Sequence, residues 1–333
     1  MSKSTFIIAE AGVNHNGSLS IAKQLVDAAA DAGADAVKFQ TFNADKLVCV
    51  GASKADYQVN NTGNDESQRD MLRKLQLTES EFAELKEYCD KRGIMFLSTP
   101  FDVDSLKFLL SIGITMVKVP SGEITNFPLL REIGKSGLKV ILSTGMCELD
   151  EVARAVDTLR KYGTKEIIVL QCNTEYPTPF RDANIRAMLT LGETTGCEYG
   201  YSDHTIGNDV AIAAVALGAS LIEKHFTLDK NMEGPDHIAS IEPEELKSLV
   251  NSVRHIEEAL GSGIKTVSDS ERKNIAVARK SIVAKCHISK GDIFTENNLT
   301  TKRPGTGVSP MLWDDIIGTV AAKDFEEDEL IEV

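Results

Sequence analysis

Between Phe6 and Leu260 the chain alternates short apolar runs with longer stretches of helical spacing, and it does so eight times. Strands are predicted at Phe6–Glu10, Ala36–Gln40, Met95–Ser98, Met116–Val119, Val140–Ser143, Ile167–Gln171, Glu198–Tyr201 and Ser220–His225. Between them Ile21–Ala32, Glu79–Arg92, Leu149–Tyr162 and Asp209–Leu217 carry apolar residues at intervals of three and four, and Pro243-Glu244-Glu245 opens a last long helix to Leu260. Strands that alternate with helices make a parallel sheet. Eight repeats in this length predict an α/β fold of the (β/α)8 TIM-barrel type. A doubly wound sheet has the same periodicity and is the competing architecture, although such sheets rarely carry eight regular repeats.

Two stretches break the pattern. Thr41–Leu77 is too long and too polar for an ordinary βα loop, and long loops at a barrel mouth act as lids or binding loops. After Leu260, Gly261-Ser262-Gly263 starts a polar stretch that reads as a linker. The predicted organisation is a barrel over residues 1–262, a linker over 263–280 and a small, mostly β domain over 281–333. So small a domain is marginal alone and is expected to dock on a barrel.

Composition narrows the function classes. The formal net charge is −14, which disfavours nucleic acid and anionic membranes as partners. An anionic substrate would need its positive charge placed in the site itself. The N-terminal apolar stretch is too short for a signal peptide, and no run approaches a membrane helix. Six scattered cysteines include no CxxC pair, so neither a disulfide framework nor a zinc knuckle is indicated. A cytoplasmic location fits.

Catalytic groups of such barrels sit at the C-terminal strand ends. Here the eight ends read Glu10 with Asn14-His15; Lys38 and Gln40; Ser98-Thr99-Pro100; Lys118 with Ser121-Gly122-Glu123; Ser143-Thr144-Gly145; Asn173-Thr174 with Tyr176; Ser202-Asp203-His204; and Glu223-Lys224-His225. Every end is polar after an apolar run. Lys38 and Lys118 lie inside apolar strands, and a buried ammonium is costly without an anion beside it. With Ser121, Ser143 and Ser202 they make a plausible phosphate or carboxylate cradle. The plain alternative is a structural Lys–Glu pair, with Glu10 or Glu123 as partner. A Schiff-base lysine is a third reading. His204 and His225 end neighbouring strands and can share a divalent metal, with Glu10 or Glu223 close. A lone histidine is more often a satisfied structural residue; the pairing favours a role in the site. Asp236, in the turn Gly234-Pro235-Asp236, either accepts sugar hydroxyls or caps the turn. Gly122 and Gly145 read as turn glycines, and His255, His287 and Trp313 as surface or packing residues.

The ordered blocks IAEAGVNHNG (from Ile8), VKFQTF (Val37), STPFD (Ser98), KVPSGEITNFP (Lys118), STGM (Ser143), CNTEYPTP (Cys172), SDHT (Ser202), EKHFTLDK (Glu223), GPDH (Gly234) and KRPGTG (Lys302) resemble the sialic acid synthase family along essentially the whole chain. The C-terminal part resembles that family's antifreeze-like (SAF) domain. The resemblance implies a metal-dependent transferase that condenses phosphoenolpyruvate with the open-chain aldehyde of an N-acylated mannose-type sugar. Products would be a nine-carbon 2-keto acid and phosphate, released by C–O cleavage.

By motif, His204 and His225 would hold Mn2+ or Mg2+, with Glu10 and Glu223 as further catalytic groups. Lys38, Thr99, Lys118, Ser121, Ser143, Asn173 and Ser202 would surround phosphoenolpyruvate; some relatives read Thr-Asn in place of Asn173-Thr174. Gln40, Glu123, Tyr176 and Asp236 would contact the sugar. Arg303 would reach its N-acyl end from the partner subunit of a domain-swapped homodimer. The sugar is either N-acetylmannosamine or 2,4-diacetamido-2,4,6-trideoxymannose. IIAEAGVNHNG, GSGIK and SPMLW lean towards the legionaminate type that uses the second. A sugar with a 6-methyl and a 4-acetamido group needs a wider, more apolar pocket, and the Thr41–Leu77 loop is expected to supply it. Two rival functions remain, a Schiff-base pyruvate aldolase and a non-catalytic sugar-binding barrel.

Overall fold

The computed structural model describes residues 4–63 and 66–332; positions 1–3, 64, 65 and 333, within the predicted domain ends and the long loop, lie outside them. The described residues fall into two compact units that divide between Gly261 and Ser262.

The first unit is the predicted barrel. Strands β1 (Phe6–Gly12), β2 (Ala36–Thr41), β3 (Met95–Pro100), β4 (Met116–Val119), β5 (Lys139–Ser143), β6 (Ile167–Gln171), β7 (Glu198–Asp203) and β8 (Leu221–His225) pair in parallel in the order β3-β2-β1-β8-β7-β6-β5-β4. The two ends of that order, β3 and β4, lie against each other and close the ring. The outer helices are α1 (Leu19–Ala32), α5 (Glu79–Arg92), α6 (Val103–Ser111), α7 (Phe127–Ser136), α8 (Leu149–Tyr162), α9 (Ala187–Thr195), α10 (Asp209–Ala216) and α11 (Pro243–Leu260). The long segment after β2 is not irregular: it folds as α2 (Ala44–Leu47), α3 (Asp56–Thr62) and α4 (Gln68–Leu75). None of these helices is long and apolar enough to cross a membrane.

Strand alternation sorts the side chains into two layers. Ile8, Ala36, Leu97, Met116, Ile141, Ile168, Leu170 and Leu221 fill the barrel interior. Their strand neighbours Ile7, Val37, Phe96, Val117, Val140, Val169 and Ile222 face the helices in the larger core. Counting on by two from the interior residues reaches Glu10, Lys38, Lys118, Ser143 and Glu223. The alternation that makes the apolar floor therefore aims these polar groups up the barrel axis.

Helices α2–α4 form a lid with its own small core of Phe42, Ala44, Met71 and Leu75 packed on Val13. Lys54 is buried within it and holds the turn after α3, its Nζ donating to Thr62 Oγ1 at 3.0 Å and to the Gly63 carbonyl at 3.1 Å. The lid is tied to the loop after β8, where Asn61 Nδ2 donates to the Pro235 carbonyl at 2.6 Å.

The second unit pairs β9 (Ser281–Ala284) with β10 (Leu299–Lys302) in antiparallel register, with a core that includes Ile282, Phe294, Leu299 and Phe325. Trp313, in the short helix α14 (Trp313–Ile316), packs on that core as expected. Residues 263–280, expected to be a linker, carry α12 (Asp269–Arg272) and α13 (Asn274–Ala278). The second of these is bonded into the small unit: Gly305 N donates to the Ala276 carbonyl at 2.7 Å and Arg303 Nε to the Ala278 carbonyl at 3.0 Å.

Candidate active site

One cavity at the C-terminal mouth of the barrel is lined by Glu10, Lys38, Gln40, Thr99, Lys118, Ser121, Ser143, Tyr176, Ser202, His204, Glu223, His225 and Asp236. Most of the predicted site residues thus converge, from all eight strand ends. Its floor is a charge cluster. Lys38 Nζ lies 2.8 Å from Glu10 Oε2 and 3.7 Å from Glu223 Oε2, and donates to Thr99 Oγ1 at 3.2 Å. Lys118 Nζ lies 3.2 Å from Glu223 Oε1. Strand register explains the pairs, because Glu10 stands beside Lys38 on one side and His225 on the other. The cradle and the ion-pair readings therefore concern the same atoms, and Glu223, not Glu123, is the partner of Lys118.

All four charges are almost fully buried. Burial works against the Lys38 ammonium, but Glu10 and Glu223 outweigh it and raise its pKa. Burial raises the Glu10 carboxyl, against the opposing pull of Lys38. For Glu223 burial acts upwards too, yet Lys118 and Lys38 dominate and bring it to about 2. Burial lowers Lys118, with Glu223 offsetting only part of the effect. Lys38 is thus held as a cation and Glu223 as an anion, while burial raises Glu10 against the pull of Lys38.

Serine and threonine hydroxyls surround the cluster. Ser202 Oγ donates to Glu223 Oε1 at 2.9 Å, and Ser121 Oγ accepts from Gly145 N at 2.9 Å. Ser143 Oγ is buried without a hydrogen-bond partner among the described residues. Gly145 is required by space, not by turn conformation. A Cβ there would stand 2.8 Å from Thr174 Cγ2, 2.9 Å from Ser121 Oγ and 3.1 Å from Cys172 Sγ.

The two histidines meet with ring centroids 5.1 Å apart, and Tyr176 packs against both, at 4.2 Å from His204 and 5.3 Å from His225. Burial lowers His204 to about 4 and His225 well below its ordinary range, so both rings are neutral, the form that binds metals. His204 Nδ1 bonds to the Asn173 carbonyl, so Nε2, 3.4 Å from Ser202 Oγ, is the nitrogen that a metal would take. His225 Nδ1 is buried without a hydrogen-bond partner among the described residues. Two neutral imidazoles of this kind fit a borderline divalent cation. Among the described residues no group of three or more His, Cys, Asp or Glu could hold a metal ion, so the protein offers a pair and the other positions would fall to water or substrate. Asp236 is buried, and burial, helped by Glu10, pushes its carboxyl up to about 7.

Two predicted site residues of the barrel, Asn173 and Glu123, are not on the cavity wall. The side chain of Asn173 folds onto its own loop, its Oδ1 accepting from Glu175 N at 2.8 Å, and Thr174 takes the place on the cavity wall. Glu123 Oε2 accepts from Asn126 Nδ2 at 2.6 Å and is not part of the wall. Arg303 belongs to the small unit. His15 orients the first loop, its Nδ1 accepting from Gly17 N at 3.1 Å. Sequence reasoning did not single out Phe42, Leu47, Gln58, Gln68, Met71 and Leu72, which the lid contributes to the cavity. The length of the segment was the only signal.

A closed barrel that gathers lysines, carboxylates and a histidine pair at one mouth defines a (β/α)8 enzyme scaffold for small anionic substrates. The chain belongs to the NeuB family, whose profile matches residues 25–265, and a SAF domain matches residues 279–332. It is 54% identical to the N,N'-diacetyllegionaminic acid synthase of Campylobacter jejuni over 99% of both chains. It is 47% identical to the Legionella pneumophila enzyme of the same name, over 96% of this chain and 90% of that one. Among solved structures, the N-acetylneuraminic acid synthetase of Leptospira borgpetersenii matches with a TM-score of 0.72 and 38% identity, over 82% of this chain and 90% of that one.

Proposed function

We propose that this chain condenses phosphoenolpyruvate with 2,4-diacetamido-2,4,6-trideoxymannose and water, in the cytoplasm, to give N,N'-diacetyllegionaminic acid and phosphate. The observation that carries the reaction class is the buried Lys38–Glu10–Glu223–Lys118 cluster beneath a neutral histidine pair. The two relatives named for that product carry the choice of sugar.

Without substrate, each lysine is balanced by a carboxylate of the chain itself. Phosphoenolpyruvate brings its own carboxylate and phosphate, which take Lys38 and Lys118 as counter-ions. Ser143 and Ser121 donate hydroxyls to the same groups. His204 and His225 would hold Mn2+ or Mg2+, which supplies Lewis-acid polarisation of the sugar's aldehyde oxygen. The C3 carbon of phosphoenolpyruvate forms the new C–C bond to the aldehyde carbon. Water then adds at C2 and phosphate leaves with the C2–O bond. Drawing Lys38 towards the phosphate deprives Glu10 of its counter-ion, which makes Glu10 a better base for that water's proton. The lysines remain beside the phosphate as its charge grows. Arg303 would complete the sugar site from the partner subunit of a domain-swapped homodimer.

The test is phosphate release from phosphoenolpyruvate by metal-loaded protein, with each candidate sugar, an EDTA control and mass analysis of the product. Metal-dependent release with 2,4-diacetamido-2,4,6-trideoxymannose and a nine-carbon product is expected. Borohydride trapping of pyruvate on Lys38 or Lys118, with activity that survives EDTA, would replace this reading by the aldolase.

A further inference from the structure

We infer that the lid reads the far end of the sugar: Leu47, Met71 and Leu72 receive a C6 methyl group, and the Gln58–Gln68 pair receives a C4 acetamido group. The inference rests on the proposed condensation and adds to it the residues that choose the substrate.

Two different sets of groups line the one cavity. All its charged groups come from the strand ends and from Asp236. The lid's own contribution is four apolar side chains, Phe42, Leu47, Met71 and Leu72, and two carboxamides, Gln58 and Gln68. The lid is not short of charge. Its ion pairs lie off the cavity wall, Arg73 with Asp45 and Asp70, Lys74 with Glu66, and Lys46 with Asp104 of α6. An uncharged inner face on so polar a segment is a selective surface.

Chemistry fixes which way the sugar runs. Its aldehyde carbon must meet phosphoenolpyruvate over the lysines on the floor. In this reading carbons 4 to 6 extend towards the lid residues that line the same cavity. A methyl group is at home against Leu47 and Leu72, which are half-buried and add apolar area to the wall. A 6-hydroxyl there would give up its water for no partner, and a 6-phosphate would be desolvated opposite no lid cation. An acetamido group presents one N–H and one carbonyl, the complement of a side-chain carboxamide. Gln68 Nε2 now donates to Gln58 Oε1 over a long 3.3 Å, with Ala55 N donating to the same oxygen at 3.0 Å. The weak amide–amide bond is one that an acetamido group can replace.

The experiment compares kcat/KM for three sugars at saturating phosphoenolpyruvate: 2,4-diacetamido-2,4,6-trideoxymannose, its 4-hydroxy analogue 2-acetamido-2,6-dideoxymannose, and N-acetylmannosamine. The proteins are the parent, Leu72→Asn, Leu47→Asn and Gln68→Leu, with thermal unfolding as the control for folding. The leucine variants should lower the preference for the 6-deoxy sugars over N-acetylmannosamine by about tenfold or more, the range a methyl pocket provides. Gln68→Leu should lower the 4-acetamido preference by about tenfold and leave the 6-methyl preference in place. The KM for phosphoenolpyruvate should stay within about twofold throughout, because the floor is untouched. Equal losses on all three sugars by the folded variants would overturn the inference and leave the lid a plain cover. Phosphate release from none of the sugars by the parent would sink the condensation itself, and this inference with it. Should one leucine variant not fold, the other and Gln68→Leu decide by the same ratios.

Discussion

Asp203 and Lys224 form a buried ion pair between β7 and β8, each one residue before a histidine of the cavity. Lys224 Nζ lies 2.7 Å from Asp203 Oδ2 and donates to the Thr205 carbonyl at 2.6 Å, while Asp203 Oδ1 accepts from Thr205 N and Oγ1. Lys224→Met would leave that carboxylate buried without its ammonium, at a cost on the order of 3–5 kcal/mol. Urea unfolding measures it. The double variant Asp203→Asn/Lys224→Met should recover part of the loss, and a single-variant cost below about 1 kcal/mol would show the pair to be dispensable.

The floor lysines make a kinetic prediction. Lys118→Gln removes one counter-ion of the incoming anion and leaves Glu223 less balanced. Its kcat/KM for phosphoenolpyruvate should fall by about a hundredfold or more, chiefly through KM. A fall confined to the sugar's KM would place Lys118 at the wrong substrate.

His225→Ala deletes one of the two imidazoles proposed to hold the metal. Direct titration with Mn2+, followed by its paramagnetic signal, should show affinity reduced by at least about tenfold, the low end of what even supporting residues of metal sites supply. His237→Ala, outside the pair, is the comparison and should bind as the parent does.

Asp236 predicts a pH dependence with a definite sign. Its folded pKa is about 7, from an ordinary value of 3.8. Between those values the unfolded chain has released a proton that the folded chain retains, so stability falls as pH rises through the window. Below it the group contributes nothing; above it the penalty, on the order of a few kcal/mol, is complete. Asp236→Asn removes the penalty. In urea unfolding it should be more stable than the parent at about pH 8 and no different near about pH 3.5. The same variant should raise the KM for the sugar.

At Gly145 the prediction is steric. A Cβ at 2.9 Å from Ser121 Oγ must displace a hydroxyl of the cradle. Gly145→Ala should therefore raise the KM for phosphoenolpyruvate by about tenfold, the equivalent of one hydrogen bond to a charged group, with thermal unfolding as the control for folding. An unchanged KM would mean that Ser121 does not touch that substrate.

The barrel was legible because its signal is repeated. Most strands carry an apolar run, so boundaries such as Glu79–Arg92 and Ile167–Gln171 fall where the periodicity changes.

 The site was legible for the same reason of alternation: a lysine two residues after an interior alanine, as in Ala36-Val37-Lys38, must point up the axis. That rule also reaches Lys224, which lies between inward Glu223 and His225 and so faces the helices, where only an anion could receive it. The Asp203 partnership was there to be found. What the sequence could not yield is the inner face of the lid. Short helices such as α3 have too few turns for periodicity to show which side is covered, and Gln58 and Gln68 look like any surface amides until the chain folds over them. Asn173 and Glu123 stand outside the cavity wall for a related reason, since each is captured by a neighbour in its own loop.

The groups of the proposed reaction are spread from Glu10 to His225 over the strand ends, so altering that chemistry means altering the barrel. The lid's cavity residues all fall between Phe42 and Leu72, in one uninterrupted stretch whose small core is largely its own. On the proposed reading, a change in the sugar accepted calls for exchange of that one stretch, as a single cassette, and leaves the carbon–carbon bond-forming strand ends as they are.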